Sequence, residues 1–189
     1  MKRLMCSLAA VLALGLGAQT VEAQTMFEVT GDVGATHSNL TELLGPGVFD
    51  PSSLAYGATA TVLFGRRGPS GLMVGGELAY AHLLHYNFVF EGETNADDVE
   101  GFHLMIITRF WFNDGAWFGE GGAGVARMNG LSGSGAIRDP ILTAGAGTFF
   151  DLSEQWAIVA KVRGTIVFDQ GSPMVGGLFR AGVSYSLGG

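Results

Sequence analysis

The sequence predicts an all-β chain: an eight-stranded antiparallel up-and-down transmembrane β-barrel behind an export signal. Three observations carry this. From Gln24 onward apolar residues recur with period two, not 3.6, in segments bounded by Gly, Pro, Asn, Asp and Ser. The connections between segments alternate between short and long, as in a meander threaded through a membrane. Within the segments charged residues form the minority face, set between long apolar faces, the reverse of a soluble barrel with an apolar cavity.

The N-terminus is read first. Met1-Lys2-Arg3 is basic, an apolar run extends from Leu4 to Gly17, and Val21-Glu22-Ala23 is a small-residue cleavage site. The run is shorter than the roughly 20 residues a spanning helix needs. Residues 1–23 are therefore expected to be a cleaved signal peptide, and residues 24–189 one barrel domain. Cys6, the single cysteine, falls at the start of the signal. The mature chain then has no thiol chemistry and no disulfide framework. Without Lys2, Arg3 and Glu22 it holds 8 basic and 16 acidic residues, a balance that excludes nucleic acid as a partner. Glycine, 31 of 189 residues, is well above ordinary usage, yet 48% hydrophobic content is too high for a disordered chain.

The expected strands are Met26–His37, Leu54–Gly65, Gly71–Phe88, Gly101–Phe112, Trp117–Met128, Pro140–Leu152, Gln155–Phe168 and Met174–Leu187. Gly65–Gly71, Asn113–Ala116 and Asp151–Glu154 are tight connections. Ser38–Ser53, Val89–Glu100 and Asn129–Asp139 are longer, and Asp169–Pro173 blurs the alternation. This places the short turns and both termini on the periplasmic side.

Each strand is then divided by parity. In the first, Phe27, Val29 and Val33 oppose Glu28, Thr30 and Asp32. In the second, Tyr56, Ala58, Ala60, Val62 and Phe64 oppose Thr59 and Thr61. In the third and fourth, Leu72, Val74, Leu78 and Tyr80 oppose Glu77, while Phe102, Leu104, Ile106 and Phe110 oppose His103 and Arg109. The glycine-rich fifth places Glu120 inside and Val125 outside, and the sixth has no assignable face. In the seventh, Trp156, Ile158, Val162, Ile166 and Phe168 oppose Lys161 and Arg163. In the eighth, Phe179, Ala181, Val183, Tyr185 and Leu187 oppose Gly176, Arg180, Ser184 and Ser186.

The polar faces together make a lumen set of Glu28, Asp32, Glu77 and Glu120 against Arg109, Lys161, Arg163 and Arg180, with His103 among them. An eight-stranded interior is about wide enough for its own side chains, so these charges must pair or be hydrated. Closure of the last strand on the first brings Arg180 toward Glu28 and Asp32. Aromatics gather near the short turns: Phe64, Phe110, Trp111, Phe112, Trp117, Phe118, Phe149, Phe150, Trp156 and Tyr185 are expected to form a periplasmic girdle, and Tyr86, Phe88, Phe102 and Phe168 a sparser outer one.

On these patterns the mature chain resembles the small outer-membrane barrels of the OmpA and OmpX type. The most specific piece is the C-terminal segment Phe179–Leu187, in which Phe179, Val183, Tyr185 and Leu187 look like the alternating signal read by the outer-membrane assembly machinery. The family usually ends on an aromatic residue, whereas this chain has Leu187 followed by Gly188-Gly189. The resemblance implies an outer-membrane protein of a Gram-negative-type bacterium, and a lumen plugged by salt bridges.

Other constellations carry less. His82 and His85, three apart on a strand, are expected on opposite faces and so unable to share a metal. His37-Ser38 does not make a hydrolytic pair, and the His and Ser two apart of the lipid A deacylases is absent. The acidic segment 91–100 lacks the EF-hand pattern and reads as a solvated loop. Gly119–Gly124 lacks a phosphate-loop lysine, and Gly65-Arg66-Arg67-Gly68-Pro69 is a turn whose arginines could meet lipid phosphates. No cofactor or metal is expected. The reading is a monomeric, non-enzymatic structural or surface-interaction barrel whose partners are outer-membrane lipids and, during biogenesis, the assembly machinery. Any extracellular specificity is expected in Ser38–Ser53 and Val89–Glu100. A narrow porin-like channel or small-solute transporter is the alternative, and a lipid-modifying enzyme a weaker third.

Overall fold

A computed structural model describes residues 23–37, 48–52, 54–112, 115–129, 137–168 and 173–187. Residues 1–22 of the expected signal peptide, with Cys6, lie outside the described residues. The strands are β1 (Gln24–His37), β2 (Val48–Ser52), β3 (Leu54–Gly65), β4 (Leu72–Phe90), β5 (Glu93–Phe112), β6 (Trp117–Asn129), β7 (Ile137–Asp151), β8 (Trp156–Phe168) and β9 (Pro173–Leu187). They make eight staves. β3 pairs with β4 from Gly65↔Met73 to Tyr56↔His82, and β2 takes over farther along β4 with Ser52↔His85 and Val48↔Phe88, so β2 and β3 form one stave.

Every stave pairs antiparallel with the next, and β1 closes on β9 in unbroken register from Thr25↔Leu187 to His37↔Val175. Closure leaves no sheet edge within the wall, which is what permits strands to stand in lipid with their backbone groups satisfied. Period two follows directly. The outward side chains, such as Leu78, Leu104 and Val162, are more than half exposed, while their in-strand neighbours are buried. β7, which the sequence left unassigned, turns Ile141, Thr143 and Phe149 inward and Leu142 and Phe150 outward.

Two segments differ from expectation. Val89–Glu100 is not a loop: β4 and β5 continue as a hairpin to the pair Phe90↔Glu93. Glu91 and Gly92 turn it with φ of 52° and 84°, the positive values of a type I′ turn. Acidic residues score poorly as strand formers, and a hairpin beyond the apolar belt needs no apolar face to betray it. The expected loop Ser38–Ser53 likewise ends in the short strand β2, while 38–47 lie outside the described residues.

The interior is more apolar than a reading of charges alone suggests. Met26, Leu63, Met73, Ile107, Trp111, Phe118, Phe149 and Val159 fill the short-turn half. Leu83, Val99, Met128, Val167, Met174 and Leu178 line the opposite end. The charged residues lie between. Trp111, Phe118 and Phe149, expected in the periplasmic girdle, are buried inside, because their parity is opposite to that of Phe110, Phe112, Trp117 and Phe150. Phe64, Phe110, Phe112, Trp117 and Trp156 point outward around the short-turn end, and Tyr185 packs its ring 4.8 Å from Trp156. At the other end Phe102 and Phe168 point outward, joined by Tyr56 and Tyr80. The side chains of Tyr86 and Phe88 lie outside the described residues.

Candidate functional site

The centre of the barrel is a continuous lattice of ion pairs. It starts on β1, where Asp32 Oδ2 lies 3.2 Å from Arg180 Nε of β9, its direct cross-strand neighbour. That contact is an ion pair without hydrogen-bond alignment, and Asp32 is instead oriented by Thr30 and Thr59, whose hydroxyls donate at 3.1 and 2.7 Å. Arg180 donates to Glu77 of β4 at 3.1 Å. Glu77 also accepts from Arg163 of β8, and Arg163 donates onward to Glu120 of β6, its Nε at 2.8 Å. Glu120 accepts from Arg109 of β5 at 2.8 Å and stands 3.7 Å from Lys161 of β8. Arg109 at 2.9 Å and Lys161 both reach Glu28 of β1 and close a square. Six of the eight staves contribute, and all eight side chains are buried.

Four acids and four bases make the lattice neutral. Neutrality alone would not suffice for side chains this buried, because each buried ion loses hydration and must regain it as hydrogen bonds. Alternation does this: every acid touches at least one base, and Glu77 and Glu120 each bridge at least two. The strands cannot move apart without breaking several such contacts. Arg180 is joined to Asp32 and Glu77, not to Glu28, which is held by Arg109 and Lys161.

A second layer seals the short-turn end. Arg109 lies 4.1 Å over the Phe118 ring, and Trp111, Phe118 and Phe149 pack with centroids 5.0 to 5.4 Å apart. Gly147 is required here, because a Cβ on it would sit 2.5 Å from Phe118 Cζ and 2.6 Å from Lys161 Cβ. Over this stack lies Arg67 from the β3–β4 turn, 4.9 Å from the Phe149 ring and 5.2 Å from Trp111. It donates to Asp151 through two nitrogens at 2.7 and 2.9 Å, and to the Gly115 carbonyl at 3.3 Å. One side chain thus ties three turns together, a role no local sequence signal announces. Arg66 beside it is exposed.

His103 shares the lumen without joining the lattice. Its Nε2 is buried with no hydrogen-bond partner among the described residues, and the ring borders a cavity of about 10 Å³ lined by Thr36, Leu83, Thr165, Val167, Met174 and Leu178. His82 and His85 correct the sequence reading. A bulge between His82 and Leu84 inserts one extra residue, which reverses parity. Both imidazoles therefore face Asp98, with His85 Nδ1 at 2.7 Å and His82 Nε2 at 3.9 Å. Among the described residues no three His, Cys, Asp or Glu side chains are disposed to hold a metal. Phe179, Val183 and Leu187 of the expected assembly signal point outward from β9.

No family model matches the chain, and no curated protein matches it in sequence. Solved structures do. Neisserial surface protein A is 13% identical, with 85% of this chain and 96% of that one covered at a TM-score of 0.55. Ail, the attachment invasion locus protein of Yersinia pestis, is 14% identical, covering 88% and 100% at 0.51. OprG from Pseudomonas aeruginosa is 10% identical, covering 87% and 96% at 0.50. The chain has the fold of the small outer-membrane barrels. At these identities the outer-membrane barrel fold is what is shared, and the lattice residues belong to this chain's own geometry.

Proposed function

We propose that this protein is an integral, non-conducting outer-membrane barrel that works as a structural and surface-interaction element. The observation that carries the reading is the filled lumen: a neutral ion-pair lattice across the middle, backed by an aromatic layer under Arg67. A channel or small-solute transporter needs a hydrated path, and here the charges are spent on one another. A lipid-modifying enzyme needs a nucleophile beside a base, and the adjacent residues His37-Ser38 do not make that pair on a strand.

In this reading the signal peptide directs export, the β9 segment ending at Leu187 is read by the assembly machinery, and the short turns face the periplasm. The long β4–β5 hairpin then stands outside the cell as the recognition element of a monomer. Ail, named for attachment, has been solved with a heparin analogue. The hairpin here is acidic, with Glu91, Glu93 and Asp98 exposed, so a polyanion is a poor fit and a basic or neutral partner a better one. The test is planar-bilayer recording of the refolded protein. The expected result is a silent bilayer, and steady unitary steps would overturn the reading.

A further inference from the structure

We propose that Glu100, Tyr80 and Arg127 form a site on the outer wall of the barrel for the zwitterionic headgroup of phosphatidylethanolamine. The register sets these side chains on neighbouring staves: Tyr80 of β4 pairs directly with Phe102 of β5, and Phe102 with Arg127 of β6. Direct partners share a face of the sheet, and here it is the outer one. Tyr80, Phe102 and Arg127 are exposed, whereas Ala79, His103 and Ala126 beside them are buried. Glu100, two residues from Phe102 on β5, has the same parity. Glu100 and Arg127 are therefore diagonal neighbours, about 7–8 Å apart at that spacing. They do not pair with each other: the Glu100 carboxylate accepts the Tyr80 hydroxyl through Oε2, and among the described residues nothing gives Arg127 an ion pair or hydrogen bond. The side chains of Asn129 and Arg138, their other register partners, lie outside the described residues, and the site uses neither. A negative and a positive side chain left apart on one exposed face suit a ligand that carries both charges.

Height and the order of the charges name the ligand. From Trp117 of the short-turn girdle, Arg127 is ten residues along the same strand. At about 3.4 Å per residue and a tilt of about 40°, that is about 26 Å, close to the ~25 Å of an outer-membrane apolar band. Glu100 stands outward of Arg127 even with the tilt allowed for, because two residues rise about 5 Å along the strand and one stave step shifts the level by only about 3 Å. A phospholipid likewise carries its phosphate at the edge of the apolar band and its ammonium beyond it. The phosphate then meets the Arg127 guanidinium and the ammonium the Glu100 carboxylate. The acyl chains lie on the exposed apolar wall beneath, formed by Leu104, Val125 and Leu142. A primary ammonium fits better than a trimethylated one, because the Glu100 carboxylate and the Tyr80 hydroxyl oxygen accept hydrogen bonds that only N–H groups can donate. Tyr80 and Phe102, with ring centroids 5.2 Å apart, add an aromatic surface beside the cation.

The inference rests on the membrane reading above, and the experiment separates the two. Wild type, Glu100→Gln and Arg127→Gln are refolded in nonionic detergent, with folding checked by the heat-modified gel shift. Each is titrated with phosphatidylethanolamine, phosphatidylcholine or phosphatidylglycerol, the lipid retained is measured by native mass spectrometry, and the unfolding temperature is followed. Wild type is expected to retain phosphatidylethanolamine about tenfold more strongly than either other lipid, with a matching rise in unfolding temperature. Glu100→Gln should bring phosphatidylethanolamine down to the level of phosphatidylcholine without weakening phosphatidylglycerol, whereas Arg127→Gln should weaken all three. The inference is overturned if wild type shows no preference, if Glu100→Gln loses phosphatidylglycerol as much as phosphatidylethanolamine, or if Arg127→Gln retains phosphatidylethanolamine as wild type does. It is equally overturned if free phosphoethanolamine reproduces the rise, since the acyl chains would then be idle. Failure of wild type to insert into phosphatidylglycerol vesicles would sink the membrane reading and this inference with it, whereas insertion without lipid preference sinks this inference alone.

Discussion

Glu120→Gln is the most direct probe of the lattice. The amide keeps the shape of the side chain and one acceptor oxygen but removes a charge that holds two hydrogen bonds from Arg109, at 3.2 and 2.8 Å, and two from Arg163, one of them at 2.8 Å. The lattice is left one positive charge in excess, with Lys161, previously 3.7 Å from Glu120, facing it as well. Loss of one partner from a buried ion pair costs about 3–5 kcal/mol. Arg109→Met alone should cost a similar amount by the opposite imbalance, since it removes a donor to both Glu28 and Glu120. Together the two changes leave three acids and three bases, with Glu28 still joined to Lys161. The double variant should therefore fall short of the summed losses by about 1–3 kcal/mol. Urea unfolding of the protein refolded in lipid vesicles measures this, followed by tryptophan emission and by the heat-modified gel shift. Trp111, with its ring 6.0 Å from Arg109, reports from beside the site. Losses that add to within about 0.5 kcal/mol would refute the coupled lattice. A single Glu120→Gln cost below about 1 kcal/mol, the worth of an ordinary hydrogen bond, would show that the lumen is hydrated instead.

Three further outcomes are expected. Leu78→Arg or Leu104→Arg, at facing mid-belt positions, should lower the unfolding free energy by about 2–4 kcal/mol, whereas Leu72→Arg beside the girdle should cost about 0–1 kcal/mol; equal penalties would show that the outer wall does not meet lipid. Gly147→Ala should cost about 1–3 kcal/mol through its clash with Phe118 and Lys161, while Gly31→Ala, with nothing within 4 Å of its Cβ, should be neutral in the same urea titration. Gly92→Val forces a β-branched residue to a φ of 84° at the hairpin tip, a strain of about 1–2 kcal/mol. It should speed amide exchange in residues 83–99 and leave the urea midpoint of the barrel unchanged; a shifted midpoint would mean the hairpin folds as one unit with the wall.

The fold was legible because its signal is local. A strand in a barrel wall has one face for lipid and one for the lumen, so alternation along a single segment, as in Trp156–Phe168, identifies both element and orientation. Counting such segments yields the eight staves. Where that demand lapses the signal lapses: the acidic segment Val89–Glu100 reads as a loop in the sequence, although it is paired strand and turn at the end of the β4–β5 hairpin. Parity also fails silently at a bulge, and one inserted residue after His82 was enough to bring His82 and His85 to one carboxylate.

The composition of the lumen set was likewise written in the sequence, since a charge on the inward parity of a strand has nowhere else to go. Its wiring was not. Cross-strand neighbours come from registry between segments far apart in the chain, and the stagger of a closed barrel then decides which acid meets which base across the interior. Sequence left Arg180 open between Glu28 and Asp32, and the tertiary structure alone joined it to Asp32 and Glu77. The same holds for Arg67, which caps Trp111 and Phe149 only because barrel closure gathers three turns at one end. Alternation belongs to the pleat of one strand and survives in one dimension, whereas pairing across a lumen is a distance in three.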